Sequence, residues 1–157
     1  MAELQETAPA PEIECLTDTG ESFRLSDHRG SIVILYFYPK ADTPGCTTES
    51  CEFRDVIEDF TGLKATIVGV SPDTPQAQAK FKEKFNLPFT LLADEDHKVA
   101  EAYGVWVEKS MYGKKYMGVD RTTFIIDAYG KIRRIFRKVR PQGHAAEVRG
   151  ALAETPA

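Results

Sequence analysis

Two apolar runs of strand-forming residues limit most strongly what this chain can fold into. The segments "SIVILYFY" at 31–38 and "ATIVGVS" at 65–71 are nearly continuous stretches of β-branched and aromatic side chains. Such runs are typical of strands covered on both faces. Between them, apolar residues recur at helical spacing over about 44–60, just before a glycine. Two buried strands that flank a helix predict an α/β sheet.

The rest of the chain continues this alternation of strands and helices. Short alternating stretches around "DTG" predict an N-terminal hairpin, and "TTFIIDAYGKIRRIF" predicts a second one near the C-terminus. The segment 105–120, which carries Trp106 and several lysines, is expected to be a solvated loop. The predicted elements are a hairpin at 13–25, helices at 73–86, 95–104 and 143–154, a strand at 88–94 and a hairpin at 122–136. This order is compatible with a thioredoxin-like fold.

Length and composition bound the organisation of the chain. With 157 residues, of which 42% are hydrophobic, it is expected to form one domain over 11–157 behind a flexible, Pro/Ala-rich end at 1–10. The net charge of −4 gives no electrostatic signature of a nucleic acid or membrane partner. We therefore expect neither of these partners.

The same composition predicts a cytoplasmic address. No apolar run approaches the roughly 20 residues of a membrane span, and the acidic N-terminus does not resemble a secretory signal. In a reducing compartment, paired cysteines are more often catalytic or metal-binding than structural.

The stretch Thr43-Pro44-Gly45-Cys46 predicts the start of the first long helix. Threonine is a favoured N-cap, and proline suits the first helical position. Cys46 then occupies the third helical position, where backbone N–H groups lack helical partners and the helix dipole is positive. These features stabilise a thiolate over a thiol, so the position favours a nucleophile. The alternative is a small buried cysteine, because Cys46 shares a helix face with Phe53.

Cys51, five residues later, lies about 140° around the helix from Cys46 and is therefore off the apolar stripe. A second cysteine beside a candidate thiolate suggests a redox partner, and the alternative is an incidental surface residue. Zinc is a further alternative, but it needs two more ligands and the candidates are in no recognisable spacing. Those candidates are Cys15, His28, His97 and His144.

These residues resemble a known family. "YPKADTPGCTTESCEFRD" is similar to the active-site signature of the peroxiredoxins, Pro-x-x-x-Thr-x-x-Cys, which Pro39, Thr43 and Cys46 satisfy. The cysteine five positions later resembles the peroxiredoxin Q subfamily, also called bacterioferritin comigratory proteins. The likeness extends over nearly the whole chain from Ile13, including "LLADEDHKVAEAYGVW" and "RTTFIID".

The resemblance implies a role for each matching residue. Cys46 matches the peroxidatic cysteine, and Thr43 the threonine whose hydroxyl orients the peroxide. Pro39 matches the proline that shields the thiolate from water, and Arg121 the arginine that faces the thiolate. Cys51 matches the resolving cysteine. The likeness also places a glutamate, Glu49, near that arginine. Peroxide cleavage needs donors aimed at the oxygens that gain charge, and we expect the backbone amides of Gly45 and Cys46 to be among them.

The fold and activity that the resemblance implies are those of a thiol peroxidase. We expect a peroxiredoxin-type thioredoxin-like fold, with an N-terminal hairpin extension and a central mixed sheet flanked by helices. The antioxidant activity would reduce hydrogen peroxide and organic hydroperoxides through a sulfenic acid and an intrachain Cys46–Cys51 disulfide. Thioredoxin or glutaredoxin would recycle a monomeric enzyme that needs no metal, haem or flavin. A non-peroxidatic thiol–disulfide carrier acting on protein partners is the alternative, and a metal-binding module a third class.

Other reactive side chains are interpreted as structural. Cys15, in a candidate strand, is expected to be a small buried residue. The three histidines are in turn or helix-start contexts, which favours structural or solvated roles. Trp106 is expected to be a packing anchor.

Overall fold

A central mixed sheet of five strands organises the molecule. The computed structural model describes residues 6–62 and 64–153. The strand order is β5-β4-β3-β8-β9, in which β3, β4 and β5 are parallel and β8 is antiparallel to both of its neighbours. The bounds of these strands are β3 Ile32–Phe37, β4 Ala65–Ser71, β5 Thr90–Ala93, β8 Thr122–Ile126 and β9 Ile132–Phe136.

Over the described residues, two small hairpins and five helices complete the fold. The hairpin strands are β1 Glu14–Leu16, β2 Ser22–Arg24, β6 Trp106–Met111 and β7 Lys114–Val119. The helices are α1 Pro44–Asp55, α2 Ile57–Gly62, α3 Pro75–Phe85, α4 Lys98–Ala102 and α5 His144–Ala153, and a 3-10 turn spans Leu25–His28.

Strand β3 shows why the two apolar runs require a covered sheet. Every residue of the strand is buried. Ile34 and Tyr36 pack with residues of α1, α2, α3 and α5, whereas Leu35 and Phe37 pack with residues of α4 and the N-terminal hairpin. Because side chains alternate along a strand, a continuous apolar run supplies both layers at once. The predicted mixed sheet flanked by helices, with an N-terminal hairpin, is confirmed.

The first long helix is shorter than predicted. Instead of one helix over 44–60, α1 ends at Asp55, and α2 begins after a break at Val56. The Val56 backbone N–H donates to the carbonyl of Phe53, three residues back, at 3.3 Å. A tightened last turn of this kind commonly ends an α-helix, and the apolar spacing that continues into α2 hides it in the sequence.

The segment 105–120 is a hairpin and not the predicted loop. Strands β6 and β7 pair antiparallel from Trp106↔Val119 to Met111↔Lys114. The two turn residues, Tyr112 and Gly113, both have positive φ, as a two-residue hairpin turn requires. The sequence signal was weak because tyrosine replaces the usual asparagine or aspartate. Trp106 anchors the base by stacking on His97, with ring centroids 4.0 Å apart.

Residues 7–10 are held to the body of the protein, although a flexible end was expected over 1–10. The Thr7 amide donates to the carbonyl of Ile132 at 2.7 Å, and the Ala10 amide donates to that of Gly130 at 2.9 Å. Residues 1–5 lie outside the described part of the chain. Among the described residues, no helix has the length and apolar character that a membrane crossing needs.

Candidate active site

The candidate nucleophile lies at the start of α1, where the sequence predicted it. Thr43 is the N-cap residue with extended φ and ψ, Pro44 is the first helical residue, and Cys46 is the third. Cys46 is buried, with 1% of its surface exposed. The Thr43 hydroxyl does not cap the helix amides but donates to the carbonyl of Lys40 at 2.8 Å. The amides of the first turn are therefore left without a side-chain cap, as at helix N-termini that bind anions.

The loop between β3 and α1 is fastened on both sides. The Ala41 amide donates to Asp73 at 2.8 Å, and Lys84 forms an ion pair with Asp42 at 2.9 Å. Pro39, partly buried, follows directly after the buried Tyr38. The loop thus delivers Thr43 and Cys46 from the end of the central strand in a fixed orientation.

Arg121 reaches this loop because of the sheet register. Thr122, the first residue of β8, pairs with Phe37, the last residue of β3, so Arg121 lies at the strand end from which the loop departs. Its Nη2 donates to the Sγ of Cys46 at 3.4 Å, and its Nη1 donates to Oε1 of Glu49 at 2.8 Å. A single guanidinium therefore bridges a sulfur and a carboxylate, as its planar fork of donors allows.

Glu49 is fully enclosed beside the arginine. Its side chain has 0% exposure, and its Oε2 has no hydrogen-bond partner among the described residues. Burial raises the pKa of Glu49 from 4.5 to about 7, although the charge and hydrogen bond of Arg121 oppose the shift. Burial also opposes the charged form of Arg121, but Cys46 and Glu49 outweigh it and raise the pKa of the arginine. The guanidinium is thus a fixed cation beside the sulfur.

Two buried tyrosines form the floor of the site. The Tyr36 hydroxyl bonds with Ser50 at 2.8 Å, and the Tyr38 hydroxyl donates to Gln78 at 2.7 Å. Burial raises the pKa of both phenols above their ordinary value, so they remain neutral at physiological pH. Because both phenols are neutral, neither forms an ion pair with the Arg121 guanidinium that contacts Cys46.

Gly45 lets the arginine lie against the first turn of α1. A Cβ atom at this position would be 3.2 Å from Nη2 of Arg121 and 3.3 Å from Cγ of Pro141. The same turn borders a cleft of about 510 Å³. Its lining residues are Pro44, Gly45, Thr48, Arg140, Pro141 and Gln142.

Comparison with known proteins identifies the family of this chain. Residues 7–135 match the AhpC/TSA family. The chain is 52% identical to peroxiredoxin Bcp of Bacillus subtilis (strain 168) over 145 residues, which are 92% of each protein. The chain belongs to the AhpC/TSA family. Within it, the similarity is to the Bcp, or peroxiredoxin Q, proteins, so the predicted family is confirmed and the chain is a peroxiredoxin.

Solved structures give the same family and fold. The bacterioferritin comigratory protein of Xanthomonas campestris superposes with a TM-score of 0.87 at 36% identity, covering 90% of each chain. BcpB of Mycobacterium tuberculosis superposes with a TM-score of 0.88 at 34% identity, covering 99% of this chain and all of the other. The thioredoxin-like fold of the peroxiredoxins is therefore shown.

The second cysteine of this peroxiredoxin lies on the same helix as the first. Cys46 and Cys51 are free thiols within α1, with Cys46 buried and Cys51 partly exposed. Five residues along an intact helix separate two Cα atoms by about 8.7 Å and point their side chains about 140° apart. A disulfide needs Cα atoms within about 7 Å, so these thiols cannot join while the helix is intact.

The other singled-out side chains lie away from Cys46 or have structural contacts. Cys15 is only partly buried, contrary to the expectation of full burial, because β1 lies at the surface. His144 is buried and bonds with the Thr123 hydroxyl at 2.7 Å, whereas His28 stacks on Phe23. Within the described residues, no cluster of three or more His, Cys, Asp or Glu side chains is arranged to hold a metal.

Reasoning from the helix pattern missed Ser50, which shares the buried face of α1 with Cys46, and Glu49 was expected only from the family resemblance. The buried residues of this helix are Cys46, Glu49, Ser50 and Phe53, at positions i, i+3, i+4 and i+7. Two polar residues within an apolar helical stripe are a usable signal of a buried polar site. No sequence pattern indicated that Pro141 lies against Gly45 or that Glu52 bonds with Gly143.

Proposed function

We propose that Cys46 is the peroxidatic cysteine of a thiol peroxidase and that Cys51 resolves its oxidised form. The observation that carries the proposal is the guanidinium of Arg121, which donates to the Cys46 sulfur while it is held by the buried Glu49. A fixed cation beside a sulfur at a helix N-terminus favours the thiolate, which is the reactive form of cysteine.

In the first step, the Cys46 thiolate attacks one oxygen of the hydroperoxide. An S–O bond forms and the O–O bond breaks, so the sulfur becomes a sulfenic acid and the other oxygen leaves as alkoxide or hydroxide, which takes up a proton. Negative charge moves from sulfur to the leaving oxygen. Arg121 and the amides of Gly45 and Cys46 are donors that we assign to the two oxygens, and the Thr43 hydroxyl joins them by turning its proton away from the Lys40 carbonyl. Pro39 helps to keep water from the sulfur.

In the second step, the thiol of Cys51 loses its proton and attacks the Cys46 sulfur. The S–S bond forms, the S–O bond breaks, and hydroxide leaves as water after protonation. Since the intact helix keeps the sulfurs apart, α1 must open locally. Helix ends are among the least stable parts of a fold and open most readily. Slow opening would expose the sulfenic acid to further oxidation to sulfinic acid.

We infer that the substrates include organic hydroperoxides as well as hydrogen peroxide. The cleft beside Pro44 and Pro141, at the first turn of α1, has room for an organic group. The similar X. campestris protein has been studied structurally for its alkyl peroxide reduction activity. A dithiol protein, thioredoxin or glutaredoxin, would reduce the disulfide and regenerate a monomeric, cytoplasmic enzyme.

A coupled assay tests this function. With NADPH, thioredoxin reductase and thioredoxin, we expect NADPH oxidation that depends on added peroxide and is lost in Cys46→Ser. Cys15→Ser serves as the matched cysteine control and should remain active. A protein that reduces disulfides of other proteins but does not consume peroxide would instead be the thiol–disulfide carrier, and the proposal would be wrong.

A further inference from the structure

Glu52, the residue after Cys51, joins α1 to the C-terminal helix. Its Oε1 accepts a hydrogen bond from the backbone N–H of Gly143 at 2.8 Å. Gly143 directly precedes α5, and its carbonyl accepts the amide of Glu147 at 3.2 Å, so it is the N-cap residue of that helix. A carboxylate at this position is favoured by the helix dipole. Glu52 thus caps α5 from a different helix.

A second contact reinforces the same junction. The ring of Phe53 packs edge-on against His144, the first residue of α5, with centroids 5.8 Å apart and an interplanar angle of 88°. His144 is buried and bonds with Thr123 of β8 at 2.7 Å. The start of α5 is therefore fixed to the central sheet. The second half of α1 is thus held against a segment that is anchored to the central sheet.

Disulfide formation conflicts with this junction. Bringing Cys51 to Cys46 requires the turns between them to unwind. Glu52 follows Cys51 in the chain, so it must move when Cys51 moves. The 2.8 Å contact with Gly143 depends on the helical position of Glu52. A bond that exists only in the closed helix opposes every opening of that helix.

We propose that Glu52 is a positioning residue that latches α1 to α5 and thereby sets the rate at which Cys51 reaches oxidised Cys46. The proposal rests on the Cys46–Cys51 chemistry above. The latch prolongs the life of the sulfenic acid, so its strength sets how much enzyme is overoxidised at high peroxide.

Rapid-mixing kinetics with one equivalent of hydrogen peroxide test the latch. In Glu52→Ala, the loss of one charge-assisted hydrogen bond should speed disulfide formation about five- to tenfold. The second-order rate of the peroxide step should stay within about twofold of wild type, because Cys46 and its donors are untouched. Glu52→Gln keeps an oxygen acceptor for Gly143 and should largely restore the wild-type resolution rate.

Glu147→Ala is the matched control. Glu147 lies in the first turn of α5 and bonds with Nδ1 of His144 at 2.9 Å. It takes no part in the Glu52–Gly143 hydrogen bond that joins α1 to α5. Its removal should lower the stability of α5 but leave resolution within about twofold of wild type. Equal acceleration in Glu147→Ala and Glu52→Ala would overturn the latch, since general loosening of α5 would then explain both.

Amide exchange in the wild-type protein tests the latch without any variant. The Gly143 amide should be protected in the reduced protein and lose that protection when the disulfide forms. A Gly143 amide that remains equally protected after oxidation would contradict the proposal. If no Cys46–Cys51 disulfide forms in wild type, the proposed function itself fails; if it forms at the same rate in Glu52→Ala, only the latch fails.

Discussion

Cys46 and Cys15 lie on opposite faces of the same sheet, and charges of opposite sign surround their sulfurs. The Cys46 sulfur accepts a hydrogen bond from Arg121 at a helix N-terminus. The Cys15 sulfur donates to the carbonyl of Ala93 at 3.5 Å. Burial raises the pKa of Cys15 to about 12, and the carboxylates of Asp94 and Asp96 add to the shift.

The comparison separates reactivity from exposure. Cys15 is the more accessible of the two, yet its surroundings hold it as a thiol, which is a poor nucleophile. Cys46 is 1% exposed, but a guanidinium donates a hydrogen bond to its sulfur. We therefore expect the charge and hydrogen bonding around the sulfur, and not its exposure, to decide which cysteine reacts with peroxide.

Replacing each cysteine by serine gives the largest expected contrast. Cys46→Ser should abolish peroxide turnover, because it removes the sulfur that accepts the oxygen. Cys15→Ser should keep the second-order rate within about twofold of wild type. The measurement is peroxide consumption under pseudo-first-order conditions. Loss of turnover in Cys15→Ser would contradict the assignment.

Arg121→Lys should lower the second-order rate with peroxide about 10- to 100-fold, in the range lost when a donor to a developing oxyanion is removed. Lysine keeps the charge but lacks the planar fork that serves Glu49 and Cys46 together. Arg133→Lys is the matched control, because Arg133 pairs with Asp127 at 2.7 Å outside the site. A wild-type rate in Arg121→Lys would show that the arginine does not act on the chemistry.

Glu49→Gln should change how stability depends on pH. Because the pKa of Glu49 is raised from 4.5 to about 7, the folded protein holds this proton more tightly than the unfolded chain does. The contribution of this bound proton to the free energy of unfolding is fully present below about pH 4.5 and is lost as the pH rises toward about 7. The free energy of unfolding falls by at most about 1.4 kcal/mol per pH unit over this range. Denaturant unfolding at several pH values should show a slope in wild type that flattens in Glu49→Gln. Identical slopes would contradict the shift.

Asp96→Asn should have the smallest effect. Removing one carboxylate near Cys15 should lower the pKa of that thiol and speed its alkylation at alkaline pH about two- to threefold, the range expected for an exposed charge. The rate is measured with iodoacetamide in a Cys46→Ser, Cys51→Ser background. An unchanged or slower alkylation would mean that carboxylates do not control this thiol.

Local features of the site were predictable from the sequence. The start of α1 at Thr43-Pro44 and the third helical position of Cys46 follow from capping preferences that act within a few residues. The buried β3 and β4 followed from composition alone, because a strand covered on both faces must be apolar throughout. Such signals need no information about the rest of the fold.

Contacts between distant segments were not predictable from local patterns. Arg121 and Cys46 are 75 residues apart, and only the family resemblance paired them. Glu52 and Gly143 are 91 residues apart and belong to no motif that we could recognise. Such pairs depend on sheet register and helix packing, which one sequence does not specify residue by residue.

The central claim is that α1 must open for Cys51 to resolve Cys46. The most direct measurement is a non-reducing peptide map combined with amide hydrogen exchange, before and after one equivalent of peroxide. We expect a Cys46–Cys51 disulfide together with loss of amide protection over residues 44–53. A disulfide between Cys46 and Cys15, or a Cys46–Cys51 disulfide with that protection intact, would contradict the account.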